Sequence, residues 1–191
     1  MERPKIDEIR THLESLVGER HPLTSPDALH RAGAYIRSRF QALGLEVRQE
    51  PVPFEDTEFP NVLALKNGTD PSRGLFILAA HYDTVENTPG ADDNASAVAA
   101  LLEAARCLKP ARLRVPLLFA SFTLEEFGFV GCRHFIEQAR RRKERFHGMI
   151  SLEMVGFCSR TPGSQNYPPY VDPQGYPETG DFIAVVGNQP S

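Results

Sequence analysis

His81 and Asp83 stand at the end of an apolar run, Leu75–Ala80, and Asp92 and Asp93 open an alanine- and leucine-rich stretch soon after. Glu125 and Glu126 follow a second apolar run, "VPLLFASFT", and Glu153 lies near the end of a third, "GMISLEMV". One histidine with several carboxylates is a hard nitrogen-and-oxygen donor set. It suits Zn2+ best, with manganese or cobalt as the next choices. Without a cation, acids so placed repel one another and push one another toward protonation. Each group taken alone has an ordinary explanation. His-x-Asp is common in turns, Asp-Asp-Asn caps helices, and paired glutamates are usual on surfaces. Their shared position sets them apart, because ligands of open α/β sheets gather at the carboxyl ends of the strands.

The elements that must bring them together can be read from periodicity and punctuation. Residues 5–17 form a helix with Ile6, Ile9, Leu13, Leu16 and Val17 on one stripe. A second helix starts at Ser25 as N-cap with Pro26 in its first position, and Gly44 ends it. Its apolar face is Leu29, Ala32, Ile36, Phe40 and Leu43. "LEVRQEPV" and "FPNVLALK" are strands, the first alternating and half-exposed. From residue 75 the pattern becomes β-α-β-α-β: "LFILAA", "ASAVAALLEAARCL", "VPLLFASFT", "VGCRHFIEQARR" and "GMISLEMV". Strands that are apolar throughout belong in a parallel sheet covered on both faces. The fold class is therefore α/β, a mostly parallel central sheet, mixed at one edge and sandwiched by helices. Residues 160–181, with five prolines, form a long surface loop, and "FIAVVG" begins one more strand.

Composition narrows the partners. The chain has 191 residues, 41% hydrophobic and 24% charged, and a net charge of −4. This suits one domain, residues 1–191, and gives no reason to expect nucleic acid. The basic run at residues 139–147 is the solvated end of a helix, where cations meet the negative end of the dipole. Three widely spaced cysteines make neither a disulfide framework nor a thiolate zinc site. The N-terminus lacks the apolar core of a secretory signal, and no run is long enough to span a membrane, so a cytoplasmic location is expected.

"HYDTV", "PGADDNASA", "LEEFGFVGCRHF" and "ISLEMVGF" resemble, in order and spacing, the motifs of the zinc-dependent peptidase family M28, which includes leucyl aminopeptidases and is related to glutaminyl cyclases. The likeness runs from about residue 26 to the end of the chain. It implies His81 as a metal ligand with Asp83 as the acid behind it, and Asp93 as a carboxylate bridging two metals. It further implies Glu125 as general base, Glu126 as a ligand and Glu153 as a ligand where the family has aspartate or glutamate. The implied function is metal-dependent hydrolysis of peptides, most simply as an aminopeptidase. The extended backbone is consistent with this, since His81 and Asp83 then point to the same side. Two other readings stay open: a glutaminyl-cyclase-like acyltransferase on the same metal cage, and a zinc-binding fragment with weak or no activity.

The sequence departs from the family at two places. Ala97 stands where glycine is common, and the histidine that completes the family's second metal site has no counterpart after Glu153. His147 lies about 20 Å from Glu153 along the same strand, and His134 reads as a surface residue. The expectation is a family member lacking its last elements. Its apolar sheet edge would be met by self-association or by a further C-terminal segment. The site made by His81, Asp93 and Glu153 would hold one Zn2+ well, and the site with Asp93 and Glu126 would hold a second poorly.

Overall fold

The computed structural model describes residues 2–188, and the chain divides into two compact units, one running to Met154 and the other from Val155 onward. Helix α1, Ile6–Leu16, carries Asp7 and Glu8 in its first turn, where acids suit the positive end of the dipole. Its inward face is set by His12 and Leu16, with Leu13 packed on the core, while Ile6 and Val17 of the expected stripe are exposed. The helix is one residue shorter at each end than the expected span, and its apolar end residues Ile6 and Val17 lie where the chain enters and leaves it.

Helix α2, Pro26–Ala42, buries Leu29, Ala32, Ile36 and Phe40 as its periodicity demands. Gly44 ends it at φ +71°, a left-handed conformation that glycine adopts without strain. Ser25 does not cap it through its side chain. Its hydroxyl instead accepts from His21 N at 2.8 Å and closes the preceding turn. Strands β1, Glu46–Phe54, and β2, Thr57–Lys66, follow as an antiparallel hairpin joined at Phe54 and Thr57. Pro51 and Pro53 sit on β1, an outer strand, where a missing N–H is tolerated.

The next strand, β3, spans Leu75–His81, and helix α3 spans Ala97–Leu108. Strand β4, Leu117–Phe122, is buried along its whole length. Helix α4 spans Val130–Arg141 and strand β5 Phe146–Ser151. The sheet order is β1-β2-β4-β3-β5; β3 pairs in parallel with both β4 and β5, and β2 pairs antiparallel with β4. The mixed edge expected from the sequence is thus the β1–β2 hairpin. Side-chain alternation divides the core between the faces. Val62, Ala64, Ala80 and Phe119 meet α1, α2 and α3, whereas Leu63, Ile77, Ala79, Leu118 and Phe122 meet Phe135 of α4.

Two expectations need correction. The cover on both faces does not extend to β5, where Phe146, Met149 and Ile150 are 45–50% exposed. Its apolar residues read as buried because hydrophobicity reports what a strand can bury, not what lies over it. "FIAVVG" forms no strand; Ile183, Val185 and Val186 are exposed, with no sheet partner among the described residues. Residues 160–181 contain neither helix nor strand, in line with their proline content.

Candidate metal centre

Strands β3 and β4 and the segment after β5 end at one edge of the sheet, which places the acids and the histidine within reach of each other. His81 is the last residue of β3, and its side chain is 4% exposed. Its Nε2 lies 3.1 Å from Asp93 Oδ1, 3.4 Å from Glu153 Oε2 and 3.8 Å from Glu125 Oε2. Its Nδ1 faces the other way, 3.4 Å from Asp83 Oδ1. The ring is therefore oriented with one nitrogen toward a carboxylate behind it and the other toward three acids. That is the arrangement of a metal-ligating imidazole held in place by a supporting acid.

Asp83 does more than the sequence suggests. It is fully buried, and its two oxygens accept from the backbone N–H groups of Glu125 at 3.0 Å and Glu126 at 3.1 Å. One carboxylate thus lies beside the imidazole and holds the turn that carries the glutamates. That turn is tight: Leu124 adopts φ +55°, and Phe129 N donates to Glu125 O at 2.8 Å just before α4 begins.

Asp93 is delivered by an irregular segment, Ala91–Ser96, entered through Gly90 at φ +54°. Asp93 and Asn94 have non-helical backbone angles, so Asp-Asp-Asn is not simple capping. Asp92 instead accepts from the Ser96 hydroxyl at 3.0 Å. Asn94, fully buried, links this segment to the chain after β5. Its Nδ2 donates to Leu152 O at 3.1 Å and to Glu153 Oε2 at 3.0 Å, and its Oδ1 accepts from Met154 N at 3.2 Å. Glu153 lies two residues beyond the end of β5 and is half-exposed, so Asn94 is what holds its carboxylate toward His81.

The electrostatics are those of a site short of positive charge. Burial raises the Asp93 carboxyl, with Glu153 and Asp83 adding to it and His81 opposing. Burial likewise raises Glu125, and it pushes Glu126 up to about 7 with help from the charge on Asp93. Burial alone would lower His81, but Asp83 and Glu153 outweigh it and hold the imidazole up at about 10. Asp93 Oδ1 and His81 Nδ1 are buried and lack a hydrogen-bond partner of good geometry. An orphaned carboxylate oxygen facing an imidazole nitrogen fits a divalent cation, and the nitrogen-and-oxygen donors fit zinc.

Candidate ligand atoms lie within 4.8 Å of one another in two groups, His81–Asp93–Glu153 and His81–Glu125–Glu126. The first is the trio expected for one zinc. The second joins Glu126 to His81 and Glu125, where the sequence had paired it with Asp93. No other histidine enters either group among the described residues; His147 is exposed on β5, and His134 on α4 lines a separate hollow with Glu50 and Arg142. A cavity of about 350 Å³ adjoins the cluster, lined by His81, Glu125, Glu153, Phe122, Phe129 and Met149 among others. A larger one, about 510 Å³, opens at the opposite end of the strands around Leu63, Leu75 and Lys143, away from both groups of ligand atoms.

Two contributors escaped the sequence. Asn94 stood inside a recognised motif, but its role depends on a residue 59 positions away. Arg20 carried no signal at all; it is 2% exposed, with its guanidinium behind the strand end that bears His81.

The comparisons with known proteins bear on the family and the fold. YfbL, an uncharacterized protein of Escherichia coli strain K12, is 36% identical over 179 residues, covering 87% of this chain and 55% of its own length. Aminopeptidase YwaD of Bacillus subtilis strain 168 is 35% identical over 83 residues, 43% of this chain and 18% of that protein. The chain thus spans about half or less of these curated relatives. The crystal structure of the Legionella pneumophila LapA aminopeptidase superposes with a TM-score of 0.71 at 21% identity, covering 81% of this chain and 43% of that one, and shows the same fold. The model of Peptidase family M28 matches residues 61–179, a stretch that includes every acid of the cluster and His81, and the chain is a member of that family.

Proposed function

We propose that the chain carries the metal-binding and general-base groups of a zinc-dependent peptide hydrolase acting as an aminopeptidase. One observation supports this above the others: His81 Nε2 faces Asp93 and Glu153 at 3.1 and 3.4 Å, while Asp93 Oδ1 lacks a hydrogen-bond partner. His81, Asp93 and Glu153 would hold the first Zn2+, and Glu126 would contribute to a weaker second. Bound zinc supplies Lewis acidity, polarising the scissile carbonyl and making water easier to deprotonate.

The other work falls to the chain's own residues. Asp83 holds the imidazole so that Nε2 stays toward the acids, and its bonds to the N–H groups of Glu125 and Glu126 keep that turn rigid. Glu125 takes the proton of the attacking water on its carboxylate and then passes it to the leaving amine. Burial raises Glu125 from its ordinary value, with His81 opposing and Asp83, Glu153 and Asp93 adding, the direction that makes a carboxylate a stronger base. Phe122, Phe129 and Met149 give the adjoining cavity an apolar wall.

The test combines zinc analysis after dialysis with hydrolysis of aminoacyl amides, using the wild-type chain and Glu125→Gln. One zinc is expected in both, with hydrolysis reduced about 10²–10⁴-fold in the variant. Equal turnover by the two would refute Glu125 as the base, and absence of zinc from the wild type would refute the ligand assignment. Cyclisation of an N-terminal glutamine in place of hydrolysis would assign the acyltransferase reading.

A further inference from the structure

Arg20 is a buried cation with no carboxylate in hydrogen-bonding or ion-pair contact among the described residues. Its guanidinium is spent on main-chain carbonyls: Nε donates to Tyr82 O at 2.7 Å, Nη2 to Gly90 O at 2.9 Å, and Nη1 to Leu16 O and Gly18 O. Its own backbone is tied to the same strand end, with Arg20 N donating to Thr84 Oγ1 at 3.0 Å and Thr84 N donating to Arg20 O at 3.3 Å. Gly18 N donates to Pro89 O at 2.8 Å beside it. Burying a guanidinium is costly, and a fold retains one where the planar fork makes several bonds that no shorter side chain can make together.

The carbonyls it grips are telling. Tyr82 lies between His81 and Asp83, and Gly90 is the residue through which the chain enters the Asp93 segment. The packing here is close: a Cβ at Gly90 would stand 2.6 Å from Arg20 Nη2, in a backbone conformation that already favours glycine. Burial lowers the guanidinium to about 10 while the charges of Asp83 and Asp93 raise it, so it stays charged at neutral pH.

We infer that Arg20 is a positioning residue of the metal centre, clamping the main chain at Tyr82 and Gly90 so that His81 and Asp93 are held at ligand distance. This rests on the assignment of His81 and Asp93 as ligands given above. Arg20 touches neither metal nor substrate in this scheme; it acts through the two loops. Its charge also offsets part of the repulsion among the acids before a cation binds.

The test uses the whole chain as wild type, Arg20→Lys and Arg20→Met. The readouts are Zn2+ affinity, by competition with a chromophoric chelator, and melting temperature with and without zinc. Lysine keeps the charge but cannot span Tyr82 O and Gly90 O together. It should therefore fold and bind zinc about 10–100-fold more weakly, the usual cost of losing a group that supports a ligand. Both variants should also show a smaller zinc-induced rise in melting temperature than the wild type. A merely structural arginine predicts the opposite: melting lowered equally with and without zinc, and affinity unchanged. That outcome overturns the inference, as does wild-type affinity in Arg20→Lys. Failure of both variants to fold would also overturn it, since Arg20 would then serve the fold before the site. Absence of zinc binding by the wild type would instead defeat the ligand assignment, before any variant is compared.

Discussion

Replacing Asn94 by alanine removes three hydrogen bonds that join the Asp93 segment to the chain after β5. The two to main-chain groups, Leu152 O and Met154 N, are worth about 1 kcal/mol each. The bond to Glu153 Oε2 is charge-assisted, but the Glu153 side chain is 50% exposed, so solvent screening brings it down to about 1 kcal/mol as well. The sum is about 3 kcal/mol. For a chain of this size that corresponds to a fall in melting temperature of about 6–12 °C. The loss of zinc affinity has a separate origin: Glu153 is freed to swing into solvent, which should weaken binding about 10–100-fold. Asn94→Leu restores the lost volume without the bonds, and so separates packing from hydrogen bonding. Differential scanning fluorimetry and chelator competition on both variants give the two numbers. Wild-type zinc affinity in both variants would refute the claim that Asn94 positions Glu153, whatever happens to stability. An unchanged melting temperature in Asn94→Ala would refute the sum.

Two further outcomes follow from packing and burial. Gly131 on α4 lies against Thr123 O and Asn61 Oδ1, the latter 2.6 Å from where a Cβ would sit, and Asn61 Nδ2 donates to Gly131 O at 2.8 Å. Gly131→Ala must therefore push backbone aside and should cost at least about 2 kcal/mol, read as a lower urea midpoint; an unchanged midpoint would show that α4 shifts freely. His12 is buried on α1 with its Nδ1 2.8 Å from the Tyr35 hydroxyl, and burial, against the raising charges of Glu8 and Glu103, lowers its pKa. The neutral ring is thus the folded form. Its contribution is full above the ordinary value near 6.5 and is lost as pH falls through the lower folded value. His12→Gln should lose less melting temperature than the wild type between neutral pH and pH 5, and equal slopes would contradict the assignment.

Much of the architecture could be read directly because it rests on local pattern. Alternation marked β1, continuous apolar runs marked β3 and β4, and Pro26 with Gly44 bounded α2. Periodicity reports which face a segment can bury, so it predicted the inner faces of α2 and β4 well. It failed where burial depends on a neighbour, as on β5, and where an apolar run has no partner strand, as at residues 182–187. The candidate ligands were legible for a related reason: the ends of parallel strands share one edge, so His81, Glu125, Glu126 and Glu153 converge once the strand order is known.

What holds those residues in place was decided by tertiary structure alone. Asp83 bonding two N–H groups of a distant turn, Asn94 bridging to Glu153 and Arg20 gripping Tyr82 O and Gly90 O all join positions 42 to 70 residues apart. No local propensity or spacing encodes such pairs. They exist because backbone groups at the ends of strands leave their ladders unsatisfied, and a buried N–H or carbonyl must find a partner wherever the fold brings one. The sequence by itself determined the elements and the kinds of chemistry available at their ends; the packing of those ends against one another decided which side chains hold the centre together.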